Sequence, residues 1–200
     1  MTCEWHDKIF STGKDGFKEL ALEIFRFQYE SNPIYHSYVD VLGVKPGSGN
    51  CVEKIPFLPI SFFKTDEIKT GKFNAEVIFE SSGTTGKNTS RHFIKDLSLY
   101  EQSFNKAFEL FYGNIADHAI FALLPSYMER QNSSLIYMVD KLIKQTNNGH
   151  SRFYLNDDEM IRWIMLREMF LKRPEHAGQK NLLIGVTYAL IDLAEKNNLQ

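Results

Sequence analysis

From Ala75 onward, short runs of β-branched and aromatic residues alternate with amphipathic stretches of helical length, and this alternation constrains the chain more than any other feature. Residues 75–79, 92–94, 118–124, 152–155 and 181–186 are expected as strands. Helices are expected from Asp96, a capping residue, to about Tyr112 with Gly113 as the stop, and over residues 133–145, 157–172 and 188–197. Four strand-to-helix steps in a row predict an α/β fold, a mostly parallel sheet flanked by helices and joined by right-handed crossovers. The pattern closes on a helix where another strand would follow, which predicts an incomplete module with an open sheet edge suited to self-association.

Upstream, Lys45-Pro-Gly-Ser-Gly-Asn50 cannot continue a helix and separates a region of different texture. There Phe17, Leu20, Leu22, Ile24, Phe25 and Phe27 recur near helical spacing over residues 14–31, and Asn32-Pro33 opens a second helix to about Gly43. Residues 1–50 therefore read as an amino-terminal helical segment, and residues 51–200 as one continuous α/β region truncated on its carboxy-terminal side.

Composition removes several classes of function. The 200 residues carry 23 Lys and Arg against 25 Asp and Glu, a net charge of −2, which excludes a strongly basic nucleic-acid binder. With 43% apolar and 14% aromatic residues the chain has the means to bury a core. The longest apolar run, residues 119–124, is far short of the roughly 18 needed to cross a bilayer. The amino terminus has neither a basic nor an apolar region of signal-peptide type, so a soluble, cytoplasmic protein is expected. Cys3 and Cys51 form neither a disulfide framework nor a CxxC knuckle, and the histidines show no HExxH spacing, so no metal site is expected.

The segment that carries chemistry is Ser81-Ser-Gly-Thr-Thr-Gly-Lys-Asn-Thr-Ser90, with six hydroxyl side chains, two glycines and a lysine in ten residues. Glycines let backbone N–H groups converge on an anion, hydroxyls donate further bonds and a lysine adds a point charge, a combination suited to a polyphosphate. It is not a Walker A loop, because Ser81 stands where that motif needs glycine and Asn88 where it needs Ser or Thr. The same composition also describes a Ser/Thr-rich hairpin loop in which Gly83 and Gly86 provide only turn geometry. From composition, both readings stand.

Ser82-Gly83-Thr84-Thr85-Gly86 resembles the phosphate-binding loop of the adenylate-forming superfamily. The surroundings resemble one branch of it, the acyl-protein synthetases of the bacterial luciferase fatty-acid reductase system. The stretches that carry this resemblance are residues 55–64 (Ile-Pro-Phe-Leu-Pro-Ile-Ser-Phe-Phe-Lys), Ser90-Arg91-His92, residues 124–130 (Leu-Pro-Ser-Tyr-Met-Glu-Arg), residues 133–138 and Leu183-Ile-Gly-Val-Thr187. They span roughly residues 56–195.

What the resemblance implies is a two-step reaction using ATP, with Mg²⁺ bound transiently alongside it. A carboxylate, of fatty-acid type, becomes acyl-AMP with release of pyrophosphate, and the acyl group then passes to a protein thiol or a partner acyl reductase. Ser81, Ser82, Gly83, Thr84, Thr85, Gly86, Lys87 and Ser90 would bind the nucleotide, with Lys87 the catalytic cation. Lys87 departs from the superfamily loop, which places Pro-Lys one or two residues later. Ser126 and Tyr127 would line the acyl pocket, although Tyr127 also reads as a packing residue at a strand end. Arg91 and His92 either face the nucleotide or occupy the second hairpin strand, and Glu129 and Arg130 form either an orienting pair or a surface ion pair. The family's adenine and ribose segments, acidic magnesium ligand, mobile subdomain and acyl-accepting cysteine match nothing before Gln200, and neither Cys3 nor Cys51 fits the last. The competing reading is a non-catalytic binding module, or a subunit of an acyl-transfer complex, that keeps the fold without the reaction.

Overall fold

The computed structural model describes residues 2–47, 51–81, 89–125, 132–154 and 180–196. The chain forms two compact units, Met1–Leu99 and Tyr100–Gln200. They are taken in turn.

The first unit opens with three helices, α1 (Thr2–Ser11), α2 (Phe17–Ser31) and α3 (Pro33–Val41). The turn between α2 and α3 follows from two adjacent residues. Pro33 lacks an N–H that the first helical turn could not use, and the side-chain oxygen Oδ1 of Asn32 accepts the Tyr35 N–H at 3.1 Å. Asn32 is only 3% exposed, so water cannot take over this role. Asn32→Ala should therefore cost about 1–2 kcal/mol in urea denaturation, and Asn32→Ser, which keeps an acceptor oxygen, should recover part of the loss.

Phe25, Tyr35 and Val39 make the core of this unit, with Val44, Ile55 and Leu58 packed against them. Of the six apolar residues that sequence spacing assigned to this helix, Leu20 and Phe25 are buried. Phe17 is exposed, and Phe27 meets the Trp5 ring of α1 at 5.0 Å. Helix α1 was not expected. It is held on α2 in part by Lys8, whose ammonium donates to Glu23 at 2.6 Å.

After the short helix α4 (Phe62–Thr65) come β1 (Val77–Glu80) and β2 (Arg91–Ile94), antiparallel from Val77 opposite Ile94 to Glu80 opposite Arg91. The expected chain of four strand-to-helix steps counted β2 as part of the parallel sheet. It belongs instead to a separate two-stranded sheet, paired antiparallel with its sequence neighbour β1 as the hairpin reading of residues 81–90 expected.

Helix α5 (Leu97–Tyr112) has the cap and stop expected of it. The Asp96 carboxylate accepts the Ser98 N–H at 2.9 Å and the Ser98 hydroxyl at 2.6 Å. Gly113 takes the left-handed conformation, φ +86°, while its N–H reaches the Glu109 carbonyl at 3.0 Å. The Ser98 hydroxyl, helped by nearby N–H groups and the His6 side chain, holds the Asp96 carboxyl below its ordinary value against a desolvation cost. A depressed folded-state value stabilises the fold above the unfolded value near pH 3.9, and the gain is lost as pH falls through the folded value. Asp96→Asn keeps a capping oxygen without the charge. Wild type should thus exceed this variant in stability at pH 7, and the difference should shrink in denaturation curves as pH falls through the lowered folded-state value.

The second unit holds a parallel sheet of β3 (His118–Leu123), β4 (Arg152–Phe153) and β5 (Lys180–Gly185) in the order β4–β3–β5. The helices α6 (Ser134–Gln145) and α7 (Thr187–Lys196) accompany it. Every residue of β3 is buried, as a strand covered on both faces requires. On one face Ala119, Phe121 and Leu123 pack with Tyr154, and Leu183, Leu190 and Leu193 close over them. Ile136, Val139 and Leu142 form the buried stripe of α6, which packs on β3.

A polar lock sets the β4 register. The Asn148 side-chain oxygen Oδ1 accepts from the N–H groups of His150 and Ser151 and from the Ser151 hydroxyl, its side-chain amide donates to the His118 carbonyl at 2.9 Å, and the Ser151 hydroxyl oxygen accepts the Ile120 N–H at 2.9 Å. The expected helix over residues 157–172 lies outside the described residues. Among the described residues no helix is long and apolar enough to cross a membrane.

Candidate functional site

The β1–β2 hairpin fixes both ends of the hydroxyl-rich segment. The Ser81 N–H donates to the Ser90 carbonyl at 3.0 Å, and the Ser90 N–H donates to the Ser81 hydroxyl oxygen, also at 3.0 Å. Because the Ser81 oxygen acts there as acceptor, its O–H proton is still free to donate. Ser90 is buried at the base, and Phe79 anchors β1 in the core of its unit. Ser82, Gly83, Thr84, Thr85, Gly86 and Lys87 lie outside the described residues.

Aromatic contacts stiffen the flank of the hairpin. The His92 ring lies flat on Phe63, centroids 4.8 Å apart and planes inclined by 21°. The exposed Arg91 guanidinium sits 5.6 Å from the Phe93 ring, and the Lys69 ammonium approaches the same ring to 4.7 Å. Of the four sequence-assigned residues that are described, Ser81 and Ser90 are thus joined directly, and Arg91 and His92 follow them on β2.

In the second unit a different feature stands out. The chain leaves β3 for β4 on one side, and β5 lies on the other side of β3, so the strand order reverses at β3. In open α/β sheets the crevice outside the carboxyl ends of strands at such a reversal is the usual place for a ligand. Here Leu123 stands opposite Gly185. Beyond them run Leu124 and Pro125 on one strand, and Val186 and Thr187, the first residue of α7, on the other. The structure therefore sets side by side two stretches that are remote in sequence. Ser126, Tyr127, Glu129 and Arg130 follow directly on the first of them and lie outside the described residues.

Sequence reading alone did not single out Gly185 and Thr187 as site residues. The signal was present as a glycine between a strand pattern and a helix pattern. A Cβ on Gly185 would lie 3.1 Å from Leu123 Cβ and from Leu190 Cγ and Cδ2, so the glycine permits the close seating of α7 on the sheet.

One charged cluster lies elsewhere in this unit. Glu101 of α5 accepts from the Tyr137 hydroxyl and, at 2.8 Å, from Lys141, both on α6. Lys141 and then Tyr137 hold its carboxyl below the ordinary range, while burial and the Glu101 contact push the Tyr137 phenol up. These groups satisfy one another and join two helices. Among the described residues no three His, Cys, Asp or Glu side chains are grouped to hold a metal ion.

No family model, no curated protein and no solved structure matches the chain.

Proposed function

We propose that this chain activates a carboxylic acid of fatty type with ATP. A carboxylate oxygen bonds to the α-phosphorus, the bond from that phosphorus to the pyrophosphate oxygen breaks, and a thiol on a protein or partner reductase then displaces AMP to give a thioester. The observation that carries this reading is the glycine- and hydroxyl-rich segment held at both ends by the Ser81–Ser90 pairing. Negative charge grows on the departing pyrophosphate. Fixed N–H and O–H donors with a lysine charge bind that transition state more tightly than the ground state.

Within this reading Ser81, Ser82, Gly83, Thr84, Thr85, Gly86 and Ser90 cradle the phosphates, and Lys87 neutralises the leaving group. Ser126 and Tyr127 line the acyl group beyond the end of β3. Mg²⁺ would arrive with ATP, supplying charge neutralisation at the phosphates. Such an ion takes most of its ligands from phosphate and water.

The test is fatty-acid-dependent exchange of labelled pyrophosphate into ATP by the full-length protein. Exchange is expected in wild type and should fall about 10²–10³-fold in Lys87→Ala, the range for loss of one transition-state donor. Absence of exchange across a series of carboxylic acids, or unchanged exchange in Lys87→Ala, would overturn the reading.

A further inference from the structure

The unit Met1–Leu99 contains a cavity of about 520 Å³, inside the size range of small-molecule sites. Its walls come from separate stretches of chain: Ile9 of α1, Leu20 and Ile24 of α2, Tyr35 of α3, and Ile55 and Ile68 from the connection between α3 and β1. No lining side chain carries a charge. Four carry polar atoms, and three of these are bonded within the protein. The Thr12 hydroxyl donates to the Lys8 carbonyl at 2.6 Å, the Asn32 oxygen accepts the Tyr35 N–H at 3.1 Å, and the Tyr35 hydroxyl donates to the Pro56 carbonyl at 2.6 Å. Burial, with the neighbouring Tyr38, pushes the Tyr35 phenol up to about 12, so this wall stays neutral at physiological pH. The fourth, Gln28, is exposed.

This accounting restricts the occupant. Along the apolar walls an ion would meet no opposite charge, and ordered water would find few of the two to four polar contacts it needs. What the walls can satisfy is CH₂ and CH₃. Phe17 and Phe57, 62% and 85% exposed, belong to the lining and give the mouth an apolar rim. Phe63 also lines the cavity, and its ring is the one stacked on His92, so the cavity adjoins the hairpin.

We infer that this cavity holds the alkyl tail of a lipid-like ligand, with the head group outside the apolar walls. The inference needs no nucleotide and stands independently of carboxylate activation. Alkyl alcohols therefore serve as probes, since they have a tail and no carboxylate to activate.

The experiment is a titration of the full chain, labelled at isoleucine methyls, with 1-hexanol, 1-octanol and 1-decanol. Saturable shifts are expected at Ile9, Ile24, Ile55 and Ile68, and not at Ile120, Ile136 or Ile184 of the other unit. Affinity should rise by about threefold to fourfold per added CH₂, the effect of moving one methylene out of water. Ala21→Phe, which fills the cavity from the α2 wall, should weaken 1-decanol by at least about tenfold. The titration of wild type decides the matter even if that variant folds poorly. Three results would overturn the inference: no shift at the four lining isoleucines, shifts spread through both units without saturation, or shifts of the same methyls with protein concentration alone, which would show that a second copy covers the face.

Discussion

Phe121→Ala should lower the unfolding free energy by about 3–5 kcal/mol, the cost of deleting a large buried aromatic and leaving a cavity that neighbours fill only in part. Phe121 is fully buried in the middle of β3, beside Tyr154 with ring centroids 5.7 Å apart and beneath the leucines of β5 and α7. Its strand has partners on both edges, so a collapse that closes the hole would have to move β4 or β5 as well. Phe121→Leu, which keeps most of the volume, should cost less than half as much. Guanidinium denaturation followed by far-ultraviolet dichroism measures both. A loss below about 1 kcal/mol for the alanine variant would mean that β3 is not the centre of its unit.

The second large effect is expected at Gly185, for the opposite reason. Valine there would drive a Cβ to 3.1 Å from Leu123 Cβ, an atom fixed by the strand backbone, and its two methyls would press on Leu190. Overpacking of this kind costs about 1–3 kcal/mol, and Gly185→Val should lie at the upper end. Gly185→Ala should cost less, because it adds the Cβ facing Leu123 without the two further methyls that press on Leu190. The measurement is again the denaturation midpoint, made with and without a non-hydrolysable acyl-adenylate mimic. Any ligand that binds only the native state stabilises it by roughly 2.7 kcal/mol at about 100 times its Kd. If the β3–β5 crevice binds the mimic, the valine variant should lose part of that increment as well as intrinsic stability.

The parts of the fold that were legible in the sequence are those whose cause is local. Asp96 and Gly113 bound α5 because a carboxylate can meet the first free N–H groups and a glycine can turn the chain left-handed at the end. Asn32-Pro33 opens α3 by the same kind of short-range chemistry. The apolar run from Ala119 became a strand buried on both faces. Pairing was legible only in part. The parallel sheet and the hairpin between the strands around Phe79 and Phe93 were both expected, but counting Arg91–Ile94 among the strand-to-helix steps placed it in the wrong sheet. The strand β4 is two residues long, and its place is fixed by Asn148 and Ser151, polar residues that no periodicity picks out. Helix α1 escaped notice because His6, Asp7 and Lys8 interrupt its apolar residues.

The candidate site divides along the same line. The composition of residues 81–90 is legible in the sequence and fits either an anion-binding loop or a plain hairpin turn, and the structure joins Ser81 to Ser90 at its base. That Pro125 and Thr187 follow the ends of neighbouring strands depends on β5 pairing with the edge of β3 opposite β4, a matter of topology that neither stretch contains alone.

The parallel pairing of His118 with Lys180 also bears on how the chain is made. The ribosome releases β3, the most apolar strand of its unit, long before it releases β5. At about 5–20 residues per second the interval is on the order of several seconds. Throughout it, one backbone edge of β3 has no strand to take its N–H and C=O groups, and the face destined for Leu183 and Leu190 is open to other nascent chains. Slower synthesis between these two strands should therefore lower the yield of folded protein, and a holding chaperone present meanwhile should restore it.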